Sequence, residues 1–362
     1  MIKMNPNQPR TQKYFQLSSQ LAQMDNTQLA ALFDNSAHPP GWGRHQIVEI
    51  GDAKLFVKRV PLTDIEQHNS FSTQNLYDLP AYYHYGLGSA GHGVWRELVA
   101  HIKTTNWVLQ GAIENFPLLY HYRIMPFAGE RTALDMAWHQ QYVKQWGGHT
   151  QIGQYMLDRA NAKSEMVLFL EHIPYTLQPW LLEHLDQVSW VLDDLQTTID
   201  FLRKNGIIHF DAHFYNMLTD GTRIYLTDFG LVLDQNFALR ADEMAFFNAH
   251  TDYDYAQSIS NLIFPVYELY EALPAPTQHA LKAQYGVPAE GKQFYKLLSV
   301  LRENIEALQA SGVLNVNETY LAQVIKYRDI LALMDNFVVE IWRNPQKDTP
   351  FPSAALRQIL IE

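Results

Sequence analysis

The sequence contains no cysteine. Disulfides, thiolate nucleophiles and Cys-ligated zinc are therefore excluded, and a reducing compartment is compatible. It also has no apolar run approaching the roughly 18 residues a membrane span needs. The longest stretch, residues 262–267, is broken by Pro265 and followed by Glu268. The opening segment MIKMNPNQPRTQKYF has no apolar core of signal-peptide length. Basic residues are in deficit, 27 Lys and Arg against 38 Asp and Glu, for a formal charge of −11. Binding nucleic acid or an anionic membrane requires a basic face, so neither is expected as a partner. The expected location is cytoplasmic. Core material is ample: the 362 residues are 47% hydrophobic and 13% aromatic, enough for roughly two domains.

Strand signals concentrate in the first half of the chain. Residues 44–50 and 54–60 are β-branched and apolar runs flanking Gly51-Asp52, which predicts a hairpin. Residues 117–125 and 166–170 read as further strands, the second ended by Pro174. Residues 21–33 are weakly helical, 61–93 loop-like, and 94–110 carry a helical stripe of Val94, Leu98, His101, Ile102 and Thr105. Residues 127–163 read as a polar, partly helical insert, whose His139 and His149 are expected at the surface. From about residue 175 the period becomes helical. Val188, Val191, Leu192, Leu195, Ile199 and Leu202 form one stripe, with Gly206 as C-cap, and 256–273, 291–310 and 316–342 follow. This segregation predicts an α+β chain of two lobes: 1–171, β-rich with the helical insert, and 172–362, helical.

Chemistry concentrates in residues 207–233, IIHFDAHFYNMLTDGTRIYLTDFGLVL. Asp220-Gly221 is a two-residue turn signal between short apolar runs. A hairpin on that turn brings Asp211, His213, Asn216 and Asp228 to one end of a ribbon (residues 207–230). Two carboxylates and a carboxamide are hard oxygen ligands, suited to Mg²⁺ rather than zinc. A carboxylate not tied to the metal can accept a proton, which is what phosphoryl transfer from ATP to a hydroxyl requires.

His209-Phe210-Asp211 with Asn216 five positions after the Asp, then Asp228-Phe229-Gly230, together resemble the H-x-D-x-x-x-x-N and D-F-G motifs of the protein-kinase-like superfamily. That superfamily spans protein kinases and small-molecule kinases of the aminoglycoside and choline type. The resemblance implies a bilobal fold with a small antiparallel β-rich N-lobe and a larger, mostly helical C-lobe. It implies ATP and Mg²⁺ as cofactors, Asp211 as catalytic base, Asn216 and Asp228 as metal ligands, and His209 as a structural residue. Leu55-Phe56-Val57-Lys58 is similar to V-A-I-K, which makes Lys58 the phosphate contact; Lys54 and Arg59 are its confounders. Its partner is then Glu97, 39 residues on, with Glu66 as fallback. Two segments compete to cover the phosphates: Gly41-Trp42-Gly43, and the loop from Gly86 to Gly93 before the Glu97 helix. Glu171-His172-Ile173 falls where a hinge would hold adenine through backbone groups.

Several positions depart from the protein-kinase pattern. Phe210 stands where Arg is usual. Residues 231–250 contain no Ser, Thr or Tyr, so no phosphorylation switch is expected there. His213 gives H-x-D-x-H, as in small-molecule kinases, and is taken with Asp211 as a catalytic residue. No A-P-E follows. Asp234, Asp242, Glu243, Asp252 and Asp254 either favour a cationic substrate or form a solvated acidic face. The leading expectation is a kinase acting on a hydroxyl-bearing acceptor, leaning to protein Ser/Thr. The alternatives are a small-molecule kinase of the aminoglycoside-phosphotransferase type, a nucleotide-binding pseudokinase scaffold, and a metal-dependent hydrolase built on His209, Asp211, His213 and Asp228.

Overall fold

The computed structural model describes residues 8–33, 43–129, 132–288 and 293–361. The chain forms two compact units. The first comprises the chain up to Pro174 together with 209–211 and 225–247; the second comprises 175–208, 212–224 and the chain from Asn248.

The first unit is built on the hairpin of β1 (Arg44–Ile50) and β2 (Ala53–Leu62). Gly51 takes φ +63 in the turn, a left-handed conformation that glycine adopts without a Cβ penalty. β2 pairs antiparallel with β4 (Ser164–Glu171), and β4 with β3 (Leu119–Pro126), in the order β1-β2-β4-β3. Helix α2 (Val94–Leu109) lies on this sheet. Its Val94, Trp95 and Leu98 share a core with Val60, Leu62, Met166, Leu168 and Leu170. Burying a side chain such as Leu98 contributes about 1.5–3 kcal/mol, so the predicted helical stripe and the strand alternation meet in one cluster.

Helix α1 (Gln8–Gln23) begins well before the weak helical signal at residue 21. It is a mostly polar helix that buries Leu17 and Leu21. Its Arg10 pairs with Glu171 at 2.6 Å and donates to the Glu114 carbonyl at 2.9 Å. Such a helix is fixed by tertiary contacts that local periodicity does not announce. The insert contains helices Met136–Gln145 and Thr150–Ala160. Their Tyr142, Trp146, Ile152, Tyr155 and Met156 form a second core with Tyr77, Leu79 and Tyr83 of the preceding loop. His139, expected at the surface, is buried here, with Nε2 2.9 Å from the Gly153 carbonyl.

The second unit is mainly helical among the described residues. Val188–Lys204 buries the predicted stripe, and Gly206 ends it at φ +70. The expected helix at 256–273 is two, Tyr253–Ser260 and Ile263–Glu271. Pro265 explains the break, since it lacks an N–H and is tolerated only in a helix's first turn. The segment at 316–342 likewise divides, into Glu318–Lys326 and Arg328–Arg343. The α+β class expected from the sequence is the class observed: a small antiparallel sheet in one unit and a helical second unit.

Candidate active site

Side chains alternate faces along β2, and this sorts its three cations. Lys54 is exposed at the strand's start. Arg59 points to the opposite face, where it is buried against Glu165 with Nε 2.9 Å from the carboxylate. Lys58 lies on the α2 side. Its Nζ is 2.6 Å from Glu97 Oε1 and 2.7 Å from Asp228 Oδ1. Glu97 stands in the first turn of α2, so Lys58, Glu97 and Asp228 converge, although the 39 residues between Lys58 and Glu97 exceed the spacing usual in kinases.

Glu66 is not the partner of Lys58 but the anchor of the helix that carries Glu97. Gly93, at the N-cap of α2, has no side chain to cap it. Glu66 Oε1 instead accepts the Val94 N–H at 3.0 Å, and Oε2 accepts the Thr63 N–H at 3.0 Å. The Trp95 indole donates to the Glu66 carbonyl at 2.7 Å. A buried carboxylate thus satisfies a donor that the helix end leaves open. The readable signal was the T-x-x-E capping box at Thr63–Glu66.

The charges of this cluster are mutually dependent. Burial opposes charge on Lys58, but Asp228 and Glu97 outweigh it and hold the ammonium above its ordinary pKa. Burial would raise Asp228; Lys58 overcomes it and keeps the carboxyl below the usual carboxylate range. Glu97 is shifted upward, by burial first, with Lys58 opposing. The Asp228 side chain retains 41% exposure while Glu97 retains 5%. Glu97 is therefore committed to Lys58, whereas Asp228 stays ionised and open on one side. His101, one turn after Glu97 on α2, is fully buried; burial and then Lys58 push its pKa down to about 3, so its ring is neutral.

Asp211 and Asp228 are linked through His209. The His209 ring is buried, with Nε2 2.9 Å from the Thr227 carbonyl and Nδ1 accepting the Asp211 N–H at 3.2 Å. Both ring nitrogens are engaged, which fixes the Nε2–H tautomer. Phe229 packs at 5.1 Å from His209, 4.9 Å from His101 and 6.2 Å from Phe116. Two non-glycine residues adopt left-handed backbone here, Phe210 at φ +64 and Asp228 at φ +63. Such conformations cost of order 1–3 kcal/mol each and persist where the surroundings over-determine them.

The remaining predicted residues take varied places. Gly43 lies at the start of β1, where an added Cβ would be 3.9 Å from Lys58 Cε. Gly41 lies outside the described residues. Glu171 does not offer its amide to a nucleotide: that N–H donates to the Leu118 carbonyl at 2.8 Å, and its carboxylate clasps Arg10. Ile173 follows, half-buried, outside regular structure. His213 and Asn216 belong to the second unit, where His213 Nδ1 accepts the Asn216 N–H at 3.2 Å. The Asp220-Gly221 turn is wider than two residues. Strand Met217–Thr219 ends before a four-residue loop, 220–223, in which Asp220 Oδ1 accepts the Thr222 and Arg223 N–H groups.

The acidic residues after the motif do not form a bare anionic patch. Asp234 pairs with Lys103, Glu243 with Arg96, Asp242 with Arg240, and Asp252 with Arg203 and Arg357. Among the described residues, one buried trio of His84, His92 and Glu243 has ligand atoms within 4.8 Å of one another. Its rings are stacked parallel at 3.5 Å, so their in-plane lone pairs do not converge, and Glu243 is already neutralised by Arg96 at 2.7 Å.

No family model and no curated protein matches the chain. Among solved structures, a high-resolution crystal structure of WbdD is 14% identical, covering 74% of this chain and 46% of that one, with a TM-score of 0.22. The chain spans about half the length of that structure. A likeness of this size does not discriminate between activities.

Proposed function

We propose that the protein is an ATP- and Mg²⁺-dependent phosphotransferase that moves the γ-phosphate of ATP to a hydroxyl acceptor. The observation that carries this reading is the Lys58–Asp228 contact at 2.7 Å, braced by Glu97. It pairs a phosphate-binding cation with a metal-binding carboxylate, each at the position its motif assigns. Lys58 would hold the ATP phosphates and Glu97 would orient Lys58. Asp228 fits a hard divalent cation, being ionised, exposed on one side and an oxygen donor. The motif resemblance gives Asn216 a metal-ligand role as well, and Mg²⁺ when bound would screen the phosphate charge. Asp211 would accept the proton of the attacking hydroxyl, its backbone fixed by His209.

We take the acceptor to be a protein Ser or Thr hydroxyl, on the D-F-G form of the turn. His213, in H-x-D-x-H, favours a second reading in which the acceptor is a small molecule. The hydrolase reading is disfavoured because neither ring nitrogen of His209 is available to a metal. The test is thermal unfolding with ATP alone, Mg²⁺ alone and both, followed by transfer of labelled γ-phosphate to protein and small-molecule acceptors. Ligand binding to the native state at 100 times Kd stabilises by about 2.7 kcal/mol. A Mg²⁺-dependent ATP shift with label transfer is expected. A shift without transfer to any acceptor would favour the pseudokinase, and no shift would overturn nucleotide binding.

A further inference from the structure

The loop from Gly86 to Gly93 is built against the two motifs. A Cβ added at Gly86 would lie 2.0 Å from Asp211 Oδ1, so the glycine backbone is in direct contact with that carboxylate. A Cβ at Gly91 would lie 2.8 Å from the Gly230 carbonyl, and the adjacent His92 N–H donates to the same oxygen at 3.2 Å. His84 Nδ1 is 2.8 Å from the Leu231 carbonyl. Further along, the Ala238 N–H donates to Thr73 Oγ1 at 2.9 Å, and Arg96 pairs with buried Glu243. The stretch after Asp228 is thus pinned at successive points by residues 73–92 and α2. It has no hydroxyl residue over 231–250 through which phosphorylation could act.

The loop is itself braced. Tyr142, on helix Met136–Gln145, donates to the Gly88 carbonyl at 2.9 Å, and its hydroxyl is 2.6 Å from that of Tyr83. The Tyr83 hydroxyl accepts the Ala90 N–H at 3.0 Å. Both tyrosines belong to the core shared by 77–83 and the 136–156 helices.

We propose that this loop is a positioning element for the phosphotransfer reaction. Gly86 sets the place of the Asp211 carboxylate, Gly91 sets the Asp228–Gly230 turn, and the Tyr83–Tyr142 pair transmits the rigidity of the insert to both. The inference rests on the phosphotransferase reading above. It accounts for residues 77–83 and the 127–163 insert at once: they form one buttress behind the loop. Active-site geometry would then be permanent and not installed by modification.

A control lies outside the loop. Gly312, in the second unit, has φ +73, and an added Cβ there meets nothing within 4 Å. Gly312→Ala introduces backbone strain without contact, whereas Gly86→Ala introduces contact with Asp211. The experiment measures kcat, KM for ATP and the Mg·ATP thermal shift for Gly86→Ala, Gly91→Ala, Gly312→Ala and Tyr142→Phe.

Misplacing a reacting group by about 1 Å can cost 10²-fold. A fall of that order in kcat is expected for Gly86→Ala and Gly91→Ala, with KM for ATP and the thermal shift unchanged for Gly86→Ala. Tyr142→Phe should lower kcat with KM for ATP unchanged, and Gly312→Ala should lower the melting temperature alone. Should Gly86→Ala fail to fold, the comparison of Gly91→Ala with Gly312→Ala decides. Wild-type kcat in Gly86→Ala, or equal losses in Gly91→Ala and Gly312→Ala, would overturn the positioning role alone. Absence of transfer by the unsubstituted protein would overturn the phosphotransferase reading and this inference with it.

Discussion

Lys58 Nζ donates to Asp228 Oδ1 at 2.7 Å, joining residues 170 positions apart in the chain. The same ammonium reaches Glu97 at 2.6 Å. One cation thus ties a strand, a helix and the turn after residue 227, and each partner's ionisation depends on the other two.

Removing the cation leaves Glu97 buried and unpaired. Breaking one side of a buried pair costs roughly 3–5 kcal/mol, so Lys58→Met should unfold at markedly lower denaturant. Adding Glu97→Leu removes the stranded carboxylate and should restore part of that loss. Urea unfolding of both singles and the double closes the cycle. A double variant no more stable than Lys58→Met would show that the pair is not coupled.

Asp228→Ala should abolish the Mg²⁺-dependent part of the ATP thermal shift. Asp211→Asn should leave that shift intact while lowering turnover at least ~10²-fold, the usual contribution of a positioned base. Equal effects of the two substitutions on nucleotide binding would contradict the division of roles.

Acid should destabilise the protein through His101. Its folded pKa, about 3, lies below the ordinary value of 6.5, because burial and Lys58 disfavour the imidazolium, with Asp228 opposing and His209 adding to the depression. Between those values the unfolded chain binds more protons, so stability is complete above 6.5 and declines as pH falls toward 3. The slope from one such group is about 1.4 kcal/mol per pH unit at most. His92, also buried and depressed, adds in the same direction. Replacing His101 with Phe should flatten the fall in melting temperature between pH 6.5 and 4. An unchanged slope would remove His101 as its source.

Glu66→Ala strips the acceptors from the Val94 and Thr63 N–H groups. A buried donor left unsatisfied costs about 1–3 kcal/mol, so faster amide exchange is expected over the first turn of α2. Glu66→Gln keeps one acceptor oxygen and should cost less. Similar exchange in the two variants would show that the contacts are incidental.

Much of this was legible in the chain. Strands 44–50, 53–62 and 164–171 and helix 94–109 have the period and turn residues that predict them. Lys58, Glu97, Asp211 and Asp228 stand out in the sequence by their motifs, and the contacts of Lys58 with Glu97 and Asp228 are observed. The width of the 220–223 loop was not legible, because Asp220 closes it through side-chain bonds that a two-residue turn signal does not specify. Nor was the burial of His139, or the pairing that neutralises Asp234, Glu243 and Asp252.

The sequence by itself determined where most of the elements lie and which residues match the two motifs, since turn signals, capping boxes and hydrophobic period act within a few residues of one another. Tertiary structure alone decided that Glu97 and not Glu66 faces Lys58, that Glu171 clasps Arg10, and that Gly86 rests on Asp211. Those choices join segments tens to hundreds of residues apart, and they follow from which surfaces can be buried together and which buried charges must find a partner.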